Sequence, residues 1–304
     1  MIRIDKYQKS VEEKYWECVK NVIPQEEQIH IVNSCSKFLP SGFFSKSPCF
    51  KELVLAPYDK IKTAYEYIRE NPDTMDQECF ACTDKLARKP LYDKLYAAYE
   101  KVSQCMIDKT KMNVMLVQST GLTVCPYCNR DYINCRSETL SGAQLDHFYP
   151  RSRYPAFSLC LYNLVPVCGN CNRIKGNNTE GFVSPFDEEI DWDKELRFSY
   201  RLLDTDRIEV IINVEKLVEK NINALEIEKA YQIHDMEVKE LLYKVKMYSH
   251  TQLKEFKELL RNAGLKEQEI KHMVFGPSIS EEDIKKKPLG RMLRDLEREL
   301  DVYT

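Results

Sequence analysis

Glycine is scarce in this chain, with nine residues in 304. So few positions free to take positive φ exclude a fold rich in tight turns, and a charged content of 31% points to helix. Long apolar runs are also missing. No stretch approaches the roughly 18 residues of a membrane span, and the opening MIRIDKYQKSVEEKYW lacks the apolar core and small-residue cleavage site of a secretory signal. A globular protein that stays in the cytoplasm, with no membrane partner, is the expectation. A charge imbalance is absent too: 45 Lys and Arg against 48 Asp and Glu leave a net −3, which excludes a polycation. Any affinity for nucleic acid must come from a local patch. No G-x-x-x-x-G-K-[ST] phosphate loop, internal repeat or low-complexity tract is found.

What is present is enough apolar residue, 43%, for a sizeable core and two or three compact units. Over residues 1–115 the apolar positions recur at three and four residues, as in PLYDKLYAAYEKVSQCMI, with breaks at KFLPSGFFSKSP and RENPDT. This is an N-terminal helical region. Residues 116–185 change to short apolar runs punctuated by Cys, Asn, Pro and Gly, and form a separate middle module. Residues 186–304 return to regular patterns. LRFSYRLLDTDRIEVIINV reads as a β-hairpin with Ile208, Val210, Ile212 and Val214 on one face, and helix follows from about 215 to Asn262, stopped by Gly264. A closing helix starts after Ser280, with Pro288 an interruption, and its stripe of Leu289, Met292, Leu293, Leu296 and Leu300 is assigned to the core. The fold class expected is mainly α with a small α+β insert.

Twelve cysteines in a chain expected to be cytosolic favour metal thiolates or reduced core thiols over a disulfide framework. Cys125 and Cys128 stand in C-P-Y-C, Cys168 and Cys171 in C-G-N-C. Two intervening residues let one tight turn aim both sulfurs at one ion, and two such turns complete the tetrahedral shell of a structural Zn²⁺. The 39 residues between the pairs cost little extra, since closure entropy grows only with the logarithm of loop length. Cys79 and Cys82 also match C-x-x-C, but with no partner pair and in a helical context they are assigned to an ordinary helix.

Between the pairs lie Asp146, His147 and Asn163, and Asn172 follows the last Cys. The order C-x-x-C, D-H, then N-L-V-P-V-C-x-x-C-N-x-x-K resembles the HNH endonuclease family, whose catalytic unit is a ββα-metal finger. The resemblance spans about 55 residues, near a fifth of the chain. It implies that Asp146 and Asn172 hold a catalytic Mg²⁺ or Mn²⁺, His147 acts as general base, and Asn163 fixes the His-bearing loop. Asn172 stands where the family often has His. Strands near 145–149 and 164–168 and a helix from about Cys171 are expected. Because adjacent strand residues point to opposite faces, Asp146 and His147 can meet one centre only at a distorted strand end.

Arg151, Arg153, Arg173 and Lys175 surround these groups and are candidates for phosphate contacts that position a duplex without reading sequence. Residues 120–180 hold six Lys or Arg against four Asp or Glu. Four thiolates on one Zn²⁺ would cancel that excess. His30, His234, His250 and His272 lack ligand spacing. The reading that results is a metal-dependent nuclease cutting DNA to 5′-phosphate and 3′-hydroxyl ends. Its helical flanks and missing phosphate loop resemble effector nucleases of anti-phage systems such as the Septu type, which implies an ATPase or other defence-system partner, with a homodimer as a further possibility. A zinc module that binds nucleic acid without cleaving it, or a nuclease subunit active only with a partner, remain the alternatives.

Overall fold

Apolar side chains at three- and four-residue spacing build most of the chain into short helices. The computed structural model describes residues 1–80, 91–204, 207–248, 250–261 and 264–303. Along the N-terminal stretch run α1 (Lys9–Val22), α2 (Gln25–Cys35), α3 (Phe50–Val54), α4 (Tyr58–Glu70), α5 (Pro72–Cys79) and α6 (Leu91–Gln104). The breaks fall where Pro and Asn stand: Pro24 and Pro57 precede α2 and α4, and Pro72 opens α5. In α4, Tyr58, Ile61, Ala64, Tyr65 and Ile68 are buried, one helical stripe. Cys79 ends α5 inside the core, and Cys82 lies outside the described residues.

A two-residue ribbon, β1 (Met106–Ile107) with β2 (Thr110–Lys111), leads into α7 (Met112–Ser119). Then come β3 (Gln144–His147), β4 (Leu164–Val167) and α8 (Gly169–Lys175). β3 and β4 pair antiparallel, with Asp146 opposite Val165 and His147 opposite Leu164. β4 is buried along its whole length, so this small sheet is a core element. Gly176, at φ +50°, ends α8.

The chain divides into two units: Arg3–Tyr127 with Asp131–Glu189, and Met1–Ile2 with Cys128–Arg130 and Ile190–Thr304. In the first, a disulfide joins Cys18 of α1 to Cys105. That corrects the expectation of reduced core thiols for these two residues, which stand 87 apart in sequence and are brought together where α1 packs on α6.

In the second unit a short helix, α9 (Trp192–Glu195), precedes the hairpin of β5 (Leu196–Leu202) and β6 (Ile208–Val214), where Val210 and Ile212 of the alternating face are buried and Ile208 and Val214 at its ends are half-buried. The single helix expected to Asn262 is instead α10 (Glu219–Ala224), α11 (Ile227–Tyr231), α12 (Asp235–Met247) and α13 (His250–Arg261). Glu226 breaks it at φ +49°, a left-handed backbone that no helix continues through. Asn262 lies outside the described residues, and Gly264 follows at φ +77°.

After α14 (Glu267–Phe275), Ser280 caps α15 (Glu281–Ile284) in a capping box with Asp283. Residue 289 then reverses the chain at φ +58° before α16 (Gly290–Glu299). Met292 and Leu296 are fully buried, as the stripe requires. The surprise in α16 is charge: Arg291, Arg294, Asp295 and Glu297 are buried as well. Arg291 donates to the Leu196 carbonyl at 2.8 Å and pairs with Asp193, while Asp295 accepts from the Phe198 amide at 3.0 Å. Asn129 holds the start of the same helix, accepting at its side-chain oxygen from the Arg291 amide at 2.9 Å.

The structure is thus mainly helical with small antiparallel two-stranded sheets. No helix among the described residues is long and apolar enough to cross a membrane.

Candidate functional site

The first C-x-x-C sits on a narrow ribbon. Val124 bridges Tyr132, the Cys125 amide donates to the Asp131 carbonyl at 2.9 Å, and the Ile133 amide to Thr123 at 2.8 Å. Asn129, at φ +53°, turns the chain at the tip. The second pair straddles the start of α8, where Cys168 is the N-cap and its sulfur accepts from the Cys171 amide at 3.4 Å. The sulfurs of Cys125, Cys128, Cys168 and Cys171 are buried and all within 4.8 Å of one another. A tetrahedral zinc with Zn–S near 2.3 Å needs sulfurs about 3.8 Å apart, so the donor set fits. Further backbone amides point at sulfur, Cys168 N at Cys125 (3.3 Å) and Arg130 N at Cys128 (3.4 Å). This buried four-cysteine cluster can hold a structural zinc.

The oxygen donors are arranged differently. Gln144 and Asp146, two apart on β3, share the face toward α8. Across from them stand Asn172 and Lys175, three apart on the helix. The Asn172 amide donates to Gln144 Oε1 at 2.7 Å, and Lys175 Nζ lies 3.0 and 3.1 Å from the two carboxylate oxygens of Asp146. Tyr127, the spacer inside C-P-Y-C, donates its phenol to Asp146 at 2.7 Å. Lys175 is 0% exposed and also donates to the His147 carbonyl at 3.3 Å. Burial raises the Asp146 carboxyl above its usual range, with Lys175 and Tyr127 opposing, and burial lowers the Lys175 ammonium, with Asp146 opposing. Asp146 and Asn172 therefore have separate partners, and Lys175 stands inside the fold instead of on a phosphate-facing surface.

His147 points to the other side of β3. Its register is regular through His147, so the distorted strand end expected from the spacing is absent. Nε2 lies 3.0 Å from the Ser158 carbonyl. A carbonyl only accepts, so Nε2 carries the proton and the lone pair is on Nδ1. Tyr99 meets the imidazole edge-on at 4.4 Å. Burial lowers its pKa to about 3, and the ring is neutral at pH 7.

Asn163 ties down the loop between His147 and itself. Its oxygen accepts from the Tyr149 amide at 2.8 Å, and its amide donates to the Tyr149 and Phe157 carbonyls at 3.0 Å each. Tyr149 in turn stacks on Tyr65 of α4 at 4.2 Å, fastening that loop to the helical core.

The arginines differ among themselves. Arg153 and Arg173 are exposed, the latter donating to Asn170 at 3.3 Å. Arg151 pairs with Glu100 at 2.9 Å and lies over Tyr96 at 3.7 Å and Tyr99 at 5.0 Å. Sequence reasoning missed Tyr127, Tyr99 and Ser158. Tyr127 had one signal, a large phenol in a turn where small residues suffice; Tyr99 reaches His147 from a distant helix, and Ser158 from the loop that follows the imidazole, whose path the sequence does not give. No family model, curated protein or solved structure matches this chain.

Proposed function

We propose that the chain is an HNH-type endonuclease, a phosphodiester hydrolase acting on DNA with His147 as general base. The observation that carries the reading is the locked tautomer: Nε2–H is engaged on Ser158, which leaves the Nδ1 lone pair to take a proton from water. The strand pair β3–β4 and helix α8, closed by the four cysteines and with Asn163 bracing the loop after His147, supply the frame a ββα-metal finger needs. The activated water would attack phosphorus in line, its proton going to Nδ1, and the bond to the 3′ oxygen would break with its electron pair staying on that oxygen, which takes a proton from solvent, to leave 5′-phosphate and 3′-hydroxyl ends. As folded the imidazole is a weak base, and the negative charge of a bound phosphate would raise its proton affinity. Arg153 and Arg173 are the exposed cations for that phosphate.

Mg²⁺ or Mn²⁺ on Asp146 and Asn172 belongs to the same family pattern, yet these donors do not fit such an ion as they stand. Both Asp146 oxygens are engaged by Lys175 and Tyr127, and Asn172 donates to Gln144. The same engagement favours a second reading, a zinc-dependent nucleic-acid-binding module that does not cleave. With no phosphate loop to drive target choice, the nuclease reading extends to an effector of bacterial anti-phage defence working with an ATPase subunit or as a homodimer.

The test is nicking of supercoiled plasmid in Mg²⁺, Mn²⁺ or neither, beside His147→Ala of equal zinc content. Nicking lost only in the variant supports the hydrolase. Equal nicking by both proteins, or none under any condition with DNA still bound, favours the binding module.

A further inference from the structure

A row of flat groups runs along one face of α6 and ends at His147. Phe80 and Tyr92 lie 5.7 Å apart between ring centres, and Tyr92 and Tyr96 5.9 Å. The Arg151 guanidinium covers Tyr96 and reaches Tyr99, and Tyr99 meets the imidazole. Tyr92, Tyr96 and Tyr99 follow at four and three residues, so the helix itself makes the row. Its neighbouring stripe of Leu91, Leu95, Ala98 and Val102 is buried. Packing has therefore been supplied by other residues, while Tyr96 remains 40% exposed and Phe80 39%.

We infer that the tyrosine face of α6, with Arg151, is a stacking platform for the bases of an unpaired polynucleotide whose backbone passes Arg151 toward His147. This deepens the hydrolase reading by naming its substrate class. Rings tilted at 37° and 48° to one another, and the planar guanidinium that covers one face of Tyr96, offer separate flat surfaces, and bases stack on such surfaces whatever their sequence. A duplex keeps its bases stacked on each other and offers the rings only edges. The guanidinium supplies the matching charge. Among the described residues Glu100 takes only Nη1, so further N–H donors in the same plane can meet a phosphate.

The test measures binding of fluorescent oligothymidine and oligouridine, and of a mixed-sequence duplex, to the full zinc-loaded chain in a His147→Ala background. Tyr96→Leu should weaken binding of the single strands about 5- to 150-fold, the 1–3 kcal/mol of one stacked base, and leave the salt slope unchanged. Tyr96→Phe should bind as its parent does. Arg151→Gln should lower the salt slope by about 0.7, the loss of one phosphate contact. Equal binding by Tyr96→Leu and its parent at equal melting temperature, duplex bound as tightly as oligothymidine, or no binding at all overturns the inference. The two failures separate: unchanged binding with plasmid nicking retained by Tyr96→Leu in the His147 parent sequence sinks the platform alone, and stacking-dependent binding with no cleavage sinks the hydrolase alone.

Discussion

At its N-terminal end α8 is held by sulfur, and one turn further on by an ammonium and a carboxylate. The difference lies in where the compensating charge comes from. Cys125, Cys128, Cys168 and Cys171 bring four acidic groups within 4.8 Å, a density of negative charge that a divalent cation matches and backbone amides alone do not. Asp146 has its cation built into the chain, since Lys175 reaches it from the same helix and shares its burial. One end of the helix therefore carries a donor set that can hold a structural zinc, and the other is a closed ion pair.

The largest effect should come from the sulfur end. Loss of zinc from such a site removes on the order of 10 kcal/mol of folding free energy. Cys171→Ser is expected to abolish zinc binding and to melt the segment from the first knuckle to α8, read by zinc content and circular dichroism. A variant that keeps its stability without zinc would remove the contrast between the two ends.

At the other end the expected cost is smaller. Lys175→Met strands a buried carboxylate and should destabilise by about 3–5 kcal/mol, whereas pairing it with Asp146→Leu should recover most of that loss. Denaturant titration of the two singles and the double measures the coupling. Lys175→Met should also be stabilised by Mn²⁺ where the parent is not, because its Asp146 has lost its internal cation. Absence of coupling in the cycle would mean that the ammonium and carboxylate do not hold each other.

His147 sharpens the comparison from the opposite face of β3. Its folded pKa is depressed to about 3, against about 6.5 in an unfolded chain. The unfolded state thus binds the extra proton first as pH falls. Stability from this group is full above pH 6.5 and is lost toward pH 3, at up to about 1.4 kcal/mol per pH unit. His147→Gln should flatten that part of the stability–pH curve. An identical acid slope in the variant would place the imidazole in a more solvated setting.

How much of this could be read from the chain follows from range. The knuckles were legible because spacing alone carries them, and so were the helical stripes of α4 and α16 and the alternation of β6. Asn163 and the D-H pair were singled out by resemblance alone; what the structure adds is that Asn163 hydrogen-bonds both ways to the Tyr149 backbone. The partner of Asp146 was not legible: Lys175 is 29 residues away, and which carboxylate it meets depends on how α8 lies on β3. Tyr127 looked like a spacer, Arg151 like a candidate phosphate contact, and Cys18 and Cys105 like metal or reduced core thiols. Each gains its meaning from a contact between distant elements. The charges of α16 escaped for a related reason, since a helical stripe reports apolar burial and is silent on buried arginines paired with Asp193.

The smallest effect expected is at Asn172, the residue that could change the comparison most. Its amide makes a single hydrogen bond to Gln144, and Gln144 is itself exposed, so Asn172→Ala should cost no more than about 1 kcal/mol. The same substitution has a large consequence if a catalytic ion ever sits at this end of α8, because it deletes an oxygen donor. Nicking and stability are therefore to be measured together. A variant as stable as the parent but unable to nick would require Asn172 to leave Gln144 during the reaction, and Asp146 to exchange Lys175 for the ion in the same movement. A variant that nicks as the parent does would mean that Asn172 supplies no donor the reaction needs, and its hydrogen bond to Gln144 would stand as purely structural.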